Sequence, residues 1–226
     1  MGTLSVVKRS RVIFVAVAML SVLTGASNPT RAQQHADPAR VLVLGDSVFN
    51  AFTHVDSAAE LMNQRQTTIF ATQGCQRLIN EGCMDFAKLS ALQQLRRHAG
   101  KFTDVVVIGT GYNDRLGPEF KAAVSAIMKE AEAQGVDVLW VTYRVAGNVK
   151  GKSRVLNSQL RRFDQRWESL HVADWDAHSK DTEGWFREDG VHLITQGAIG
   201  LAKLLNGELA PILERRDASP VVPSVP

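Results

Sequence analysis

With 226 residues, the chain is long enough for one α/β domain with a full core, and its 45% apolar content is ordinary for a globular protein. Its formal net charge of +3 is set at the N-terminus, where Lys8, Arg9, Arg11 and Arg31 stand without an acid in the first 32 positions, leaving 22 basic and 23 acidic side chains after them. That near-neutral remainder has no Lys/Arg tract interleaved with aromatics, so nucleic acid is not expected as a partner.

First in chain order comes a targeting pattern. Basic residues precede the apolar run Val12 to Leu23, and small residues follow through Ala26 to Ala32. The run is well short of the roughly 20 residues that cross a bilayer, so residues 1–32 are expected to be a cleaved signal peptide, with the cut after Ala32 or else Ala26. No stable membrane span is expected after cleavage. The product would be secreted, or would stay in the periplasm or cell envelope.

Five strands are predicted between helical stretches: Val41 to Leu44, Thr67 to Ala71, Asp104 to Gly109, Val136 to Thr142 and Leu170 to Ala173. This βαβα alternation implies a parallel sheet with helices on both faces of one domain, residues 38–214. Apolar stripes predict four helices. Phe86, Leu89, Leu92 and Leu95 mark the first, and Pro118 opens a second over Glu119 to Gln134. Leu156, Leu160, Phe163 and Trp167 mark a third, and Thr195 caps a last one carrying Ile199, Ala202, Leu205 and Leu209. Residues 217–226, rich in Pro, are expected to form a disordered tail. Cys75 and Cys83, eight positions apart in an exported chain, are expected to form a disulfide, the alternative being two reduced, partly buried thiols.

Chemistry-bearing residues collect where strands end. The first strand runs into Gly45-Asp46-Ser47, at the carboxyl edge of the sheet where open α/β folds bind ligands. The third runs into Gly109-Thr-Gly-Tyr112-Asn113-Asp114, which brings an amide donor to the same edge. Asp189-Gly-Val-His192 precedes the last helix; in a helical turn both side chains project to one side, so Asp189 can fix the imidazole and leave its other nitrogen to take the Ser47 proton. Asp46 reads as a structural acceptor for loop N–H groups.

These blocks, Gly45-Asp46-Ser47, Gly111-x-Asn113-Asp114 and Asp189-x-Val191-His192, resemble in order and spread those of the SGNH (GDSL-type) hydrolase superfamily. The resemblance implies a three-layer α/β/α sandwich with a five-stranded parallel sheet, flavodoxin-like in layout. Carried over, Ser47 is the nucleophile, His192 the base and then acid, and Asp189 its orienting carboxylate. Gly74 matches the family's lone glycine after the second strand. The backbone N–H groups of Ser47 and Gly74, with the Asn113 side chain, would form the oxyanion hole. No cofactor or metal is implied. The block continues Val48-Phe49-Asn50 and lacks the Leu that names the GDSL group.

Gly45-Asp-Ser-Val48, Asn157-x-x-Leu160, Val172-Ala-Asp-Trp175 and Trp185 are similar to the extracytoplasmic SGNH domains of membrane acyltransferases that modify envelope polysaccharides. The expected activity is therefore hydrolysis of short acyl esters on an envelope glycan or lipid. The alternatives are O-acyl transfer to an envelope polysaccharide and non-catalytic envelope binding. Phe49, Tyr112, Trp185 and Val191, adjacent to the motifs, are candidates to line the substrate pocket. Gly147 to Ser153 is one residue short of a P-loop, and no nucleotide is expected. Asp174, Asp176, His178 and Asp181 read as a solvated loop and not a metal site.

Overall fold

The computed structural model describes residues 38–218, side chains to 216. The expected signal peptide and residues 219–226 of the expected tail lie outside the described residues. Strands β1 (Arg40–Gly45), β2 (Thr67–Thr72), β3 (Val105–Gly109), β4 (Asp137–Val141) and β5 (Leu170–Ala173) form one sheet in the order β2-β1-β3-β4-β5, parallel throughout. The expected strands are thus all present. Helices α1 (Asp56–Met62), α2 (Ala91–Arg97), α3 (Pro118–Ala133), α4 (Lys150–Asp164), α5 (Trp175–Ser179) and α6 (Thr195–Ala218) connect and cover them.

The period of two in a strand decides which layer each side chain joins. Val41, Val43, Val105 and Val107 face one way and pack with α6 residues Leu201, Leu205 and Leu209. Leu42, Leu44, Val106 and Ile108 face the other way and pack with Phe120, Val124 and Ile127 of α3 and Leu156 and Leu160 of α4. Both faces are covered, which is why the strands read as continuous apolar runs without alternation.

The remaining boundaries depart from expectation for local reasons. The helix expected from Phe86 begins only at Ala91, because Ser90 accepts the Gln93 N–H while the Gln93 side chain returns the bond to the Ser90 N–H, a reciprocal cap that fixes the start. Phe86 is 63% exposed. Trp167 lies beyond the end of α4, although it still packs on that core. Thr195 is the first residue of α6 and not its cap; the Ile194 carbonyl accepts the Ala198 N–H. At the other end α6 continues two residues into the segment expected to be disordered. Arg216 pins its last turn, donating to Asp137 at 3.1 Å and to the Gly135 carbonyl at 2.7 Å.

Cys75 and Cys83 are joined by a disulfide across Cα atoms 5.4 Å apart. It closes the loop between β2 and α2, which is further tied by the Cys83 N–H to the Cys75 carbonyl at 3.2 Å. Replacing both cysteines by alanine frees this short loop in the unfolded chain, and should lower stability by about 2 kcal/mol, read as a drop in the urea midpoint. An unchanged midpoint would show that the loop is held without the bond.

Candidate active site

Strand order places the candidate residues. The chain builds β1, adds β2 on one side and β3 on the other, so the connection reverses at β1 and opens a crevice at its carboxyl end. Gly45 pairs with Thr72 on one side and Gly109 on the other. Ser47, Gly74 and the Gly111–Asn113 loop therefore leave the sheet side by side. Ser47 stands in a tight turn leading into a single 3-10 turn, Phe49–Thr53.

Ser47 Oγ lies 2.8 Å from His192 Nε2, and His192 Nδ1 lies 2.6 Å from Asp189 Oδ2. The three side chains form one continuous chain of hydrogen bonds. Asp189 and His192 do not lie in a helical turn. Gly190, at φ +71°, bends the backbone so that Asp189 Oδ1 accepts the N–H of Val191 at 2.8 Å and of His192 at 2.9 Å. One carboxyl oxygen thus builds the turn and the other holds the imidazole. Burial raises the Asp189 carboxyl, but those N–H groups and the imidazole outweigh it and hold it below the usual carboxylate range.

Arg144, in the loop after β4, braces the same turn. Its Nη1 donates to the Gly190 carbonyl at 2.7 Å, and its guanidinium lies 3.5 Å from the centre of the Phe186 ring. Its own N–H donates to the Tyr112 hydroxyl at 2.7 Å. No motif marks Arg144 in the sequence; its one signal is a place just past a strand on the crowded edge of the sheet.

The loops after β2 and β3 are knitted together. The Gln76 carbonyl accepts from Thr110 Oγ1 at 2.8 Å and from Asn113 Nδ2 at 3.2 Å, and the Asp114 carboxylate accepts the Leu78 N–H at 3.0 Å. Asn113 Nδ2 carries a second proton that this bond leaves free. Lys152, from the P-loop-like segment, donates to the Tyr112 carbonyl at 2.7 Å and so supports the asparagine loop. Asp174 accepts from Thr142 Oγ1 and the Ala177 N–H and pairs with Arg161, while Asp176 accepts the Val145 N–H. These carboxylates do structural work where a solvated loop was expected.

Two cavities meet at Ser47 and His192. One, of about 310 Å³, has Val48, Tyr112, Val149 and Val191 in its walls; the other, of about 460 Å³, has Asn50, His54, Arg187 and Thr195. Of the four residues expected near a substrate pocket, Tyr112 and Val191 line the first cavity, and Phe49 and Trp185 line neither. Phe49 is buried and occupies the space that side chains at Gly45 and Gly109 would fill. Trp185 stacks on Trp175, ring centres 5.9 Å apart, and covers Gly200 of α6.

Asp46 is fully buried, and its Oδ1 accepts the Val48 N–H at 3.1 Å. Burial pushes its carboxyl up from an ordinary 3.8 to about 7, against the pull of the facing N–H groups of Val48, Tyr112 and Gly111. Between these two values the folded chain holds a proton that the unfolded chain has released, so this group favours folding less as pH rises from 4 to about 7. In Asp46→Asn this loss should vanish. Urea unfolding at pH 4.5 and pH 8 should show the variant gaining on wild type by a few kcal/mol over that interval. Equal slopes would mean that Asp46 is ionised throughout.

No protein-family model and no curated protein matches the sequence. Solved structures do match in fold. The C-terminal catalytic domain of peptidoglycan O-acetyltransferase A from Streptococcus pneumoniae, solved as a methylsulfonyl adduct, superposes with a TM-score of 0.61 at 16% identity, over 79% of this chain and 97% of that one. A protein of Slackia heliotrinireducens assigned as an SGNH hydrolase gives 0.58 at 20% identity, over 76% of this chain and 100% of that one. A protein of Agrobacterium tumefaciens assigned as an arylesterase gives 0.59 at 18%, over 77% and 99%. With its parallel sheet, its covering helices and these neighbours, the chain has the fold of the SGNH (GDSL-type) hydrolases.

Proposed function

We propose that the protein is an exported serine esterase that hydrolyses short acyl esters of a cell-envelope glycan or lipid. The observation that carries this is the unbroken hydrogen-bonded path from Ser47 Oγ through His192 to Asp189, opening on two cavities. Ser47 Oγ attacks the acyl carbon as its proton passes to His192 Nε2. The carbonyl oxygen becomes an anion, held by the N–H groups of Ser47 and Gly74 and by the Asn113 amide. Collapse breaks the bond from carbon to alcohol oxygen, and His192 returns its proton to that oxygen. Water repeats the sequence against the acyl-enzyme and releases the acid. Asp189, held ionised by its donors, keeps Nδ1 protonated and Nε2 available.

The cavity with valine walls suits a short acyl chain. Export rests on the N-terminal pattern and fits a disulfide, which persists in oxidising compartments. A fluorophosphonate probe tests the chemistry: it should label Ser47, located by peptide mass spectrometry, and Ser47→Ala should stay unlabelled. An intact wild-type protein that resists the probe would point instead to non-catalytic envelope binding.

The second cavity also supports a transferase reading, since an acceptor hydroxyl held there could replace water at the acyl-enzyme. The peptidoglycan O-acetyltransferase domain shares this fold. Incubation with an acyl donor and a glycan acceptor separates the two: acylated glycan indicates transfer, free acid alone hydrolysis.

A further inference from the structure

The two cavities that share Ser47 and His192 differ in charge as well as in polarity. The smaller, with its valine walls, carries Glu188 and Asp189 on its rim. The larger carries Arg187 and His54 and no acidic side chain. Among the described residues the Arg187 guanidinium has no carboxylate partner, although Arg187 lines the same cavity as the candidate nucleophile.

Its position is fixed through the backbone. The Arg187 N–H donates to the His192 carbonyl at 2.8 Å, Phe186 bridges Leu193, and the Ile194 N–H donates to the Trp185 carbonyl at 3.0 Å. Arg187 therefore starts directly across this short antiparallel pair from the residue that protonates the leaving alcohol. A cation lining one cavity, with two carboxylates lining the other, sorts the two halves of an ester by charge. Glu188 and Asp189 repel an anionic acyl chain from the smaller cavity, and Arg187 attracts an anion into the larger.

We propose that the larger cavity is the leaving-group site, that it selects an alcohol bearing a carboxylate or a phosphate, such as an acidic sugar or a phosphorylated polyol, and that Arg187 is its specificity residue. This rests on the esterase reading above. In the step concerned, the bond between acyl carbon and alcohol oxygen breaks, that oxygen takes the His192 Nε2 proton, and the anionic alcohol departs through the larger cavity while the acyl group stays on Ser47 Oγ. A guanidinium fork matches either anion by paired hydrogen bonds, so the chemistry is shared and the source is decided by substrate.

The test compares acetate release from acetylated galacturonan oligosaccharides with that from acetylated xylan oligosaccharides, and from acetylated glycerol 3-phosphate with that from glycerol monoacetate. Wild type should favour the anionic member of at least one pair by about tenfold in kcat/KM, the pair identifying carboxylate or phosphate. Arg187→Gln should bring that ratio near one, and Arg187→Glu should invert it. Raising salt should also shrink it. Wild type that hydrolyses p-nitrophenyl acetate yet shows no anionic preference, or one unmoved by Arg187→Glu, overturns the proposal. Wild type inert toward p-nitrophenyl acetate overturns the esterase reading itself, and this inference with it.

Discussion

Ser47→Ala should lower kcat/KM for p-nitrophenyl acetate by at least about ten-thousandfold and leave the melting temperature within a degree or two of wild type. Among the described residues the hydroxyl has one hydrogen-bond partner, His192 Nε2 at 2.8 Å, so removing it strands no buried donor or acceptor. His192→Ala should cost about as much, and the double variant little more, because the two groups act as a unit in moving one proton. Losses that multiplied in the double variant would mean that the residues act separately. Asp189→Asn is the informative third member. Its amide oxygen can still accept the Val191 and His192 N–H groups that build the turn, while the charge beside Nδ1 is lost. A fall in kcat without a fall in stability would locate the role of Asp189 in the imidazole and not in the turn.

That Asp189 builds its turn through Gly190 shows where the sequence was readable. The strands were legible because a sheet covered on both faces needs uninterrupted apolar runs, and Val105 to Ile108 is such a run. Ser47 and His192 were legible from order: one follows the first strand, the other precedes the last helix. The spacing of Asp189 and His192 was right and the geometry behind it was not, since a positive φ at Gly190 gives the same proximity as a helical turn. Phe49 read as a pocket residue because it adjoins Ser47; two facing glycines, on different strands, leave the room that draws it inward. Phe86 read as core by its spacing, but the Ser90 cap sets where α2 begins. Arg144 and Arg187 were invisible for a common reason. A cation in a loop looks like surface until the fold supplies the Gly190 carbonyl for one and the Ser47 cavity for the other.

Asn113→Ala should reduce kcat by about a hundred- to a thousandfold with a smaller change in KM, the loss expected for one donor to a developing oxyanion. The competing account is structural, because Asn113 Nδ2 donates to the Gln76 carbonyl at 3.2 Å. That carbonyl keeps the Thr110 hydroxyl at 2.8 Å when the amide is removed, so the two loops should stay joined and the melting temperature should move little. Asn113→Asp sharpens the contrast, since it replaces a donor by an acceptor that repels the oxyanion, and should be at least as inactive as the alanine variant. Gly74 supplies the control. Its proposed contribution is a backbone N–H that alanine retains, and an added Cβ would meet only the Phe86 ring at an ordinary 3.5 Å. Gly74→Ala should therefore remain within a few-fold of wild type. An Asn113→Ala enzyme as fast as Gly74→Ala would remove Asn113 from the oxyanion hole and leave it the lesser task of joining two loops.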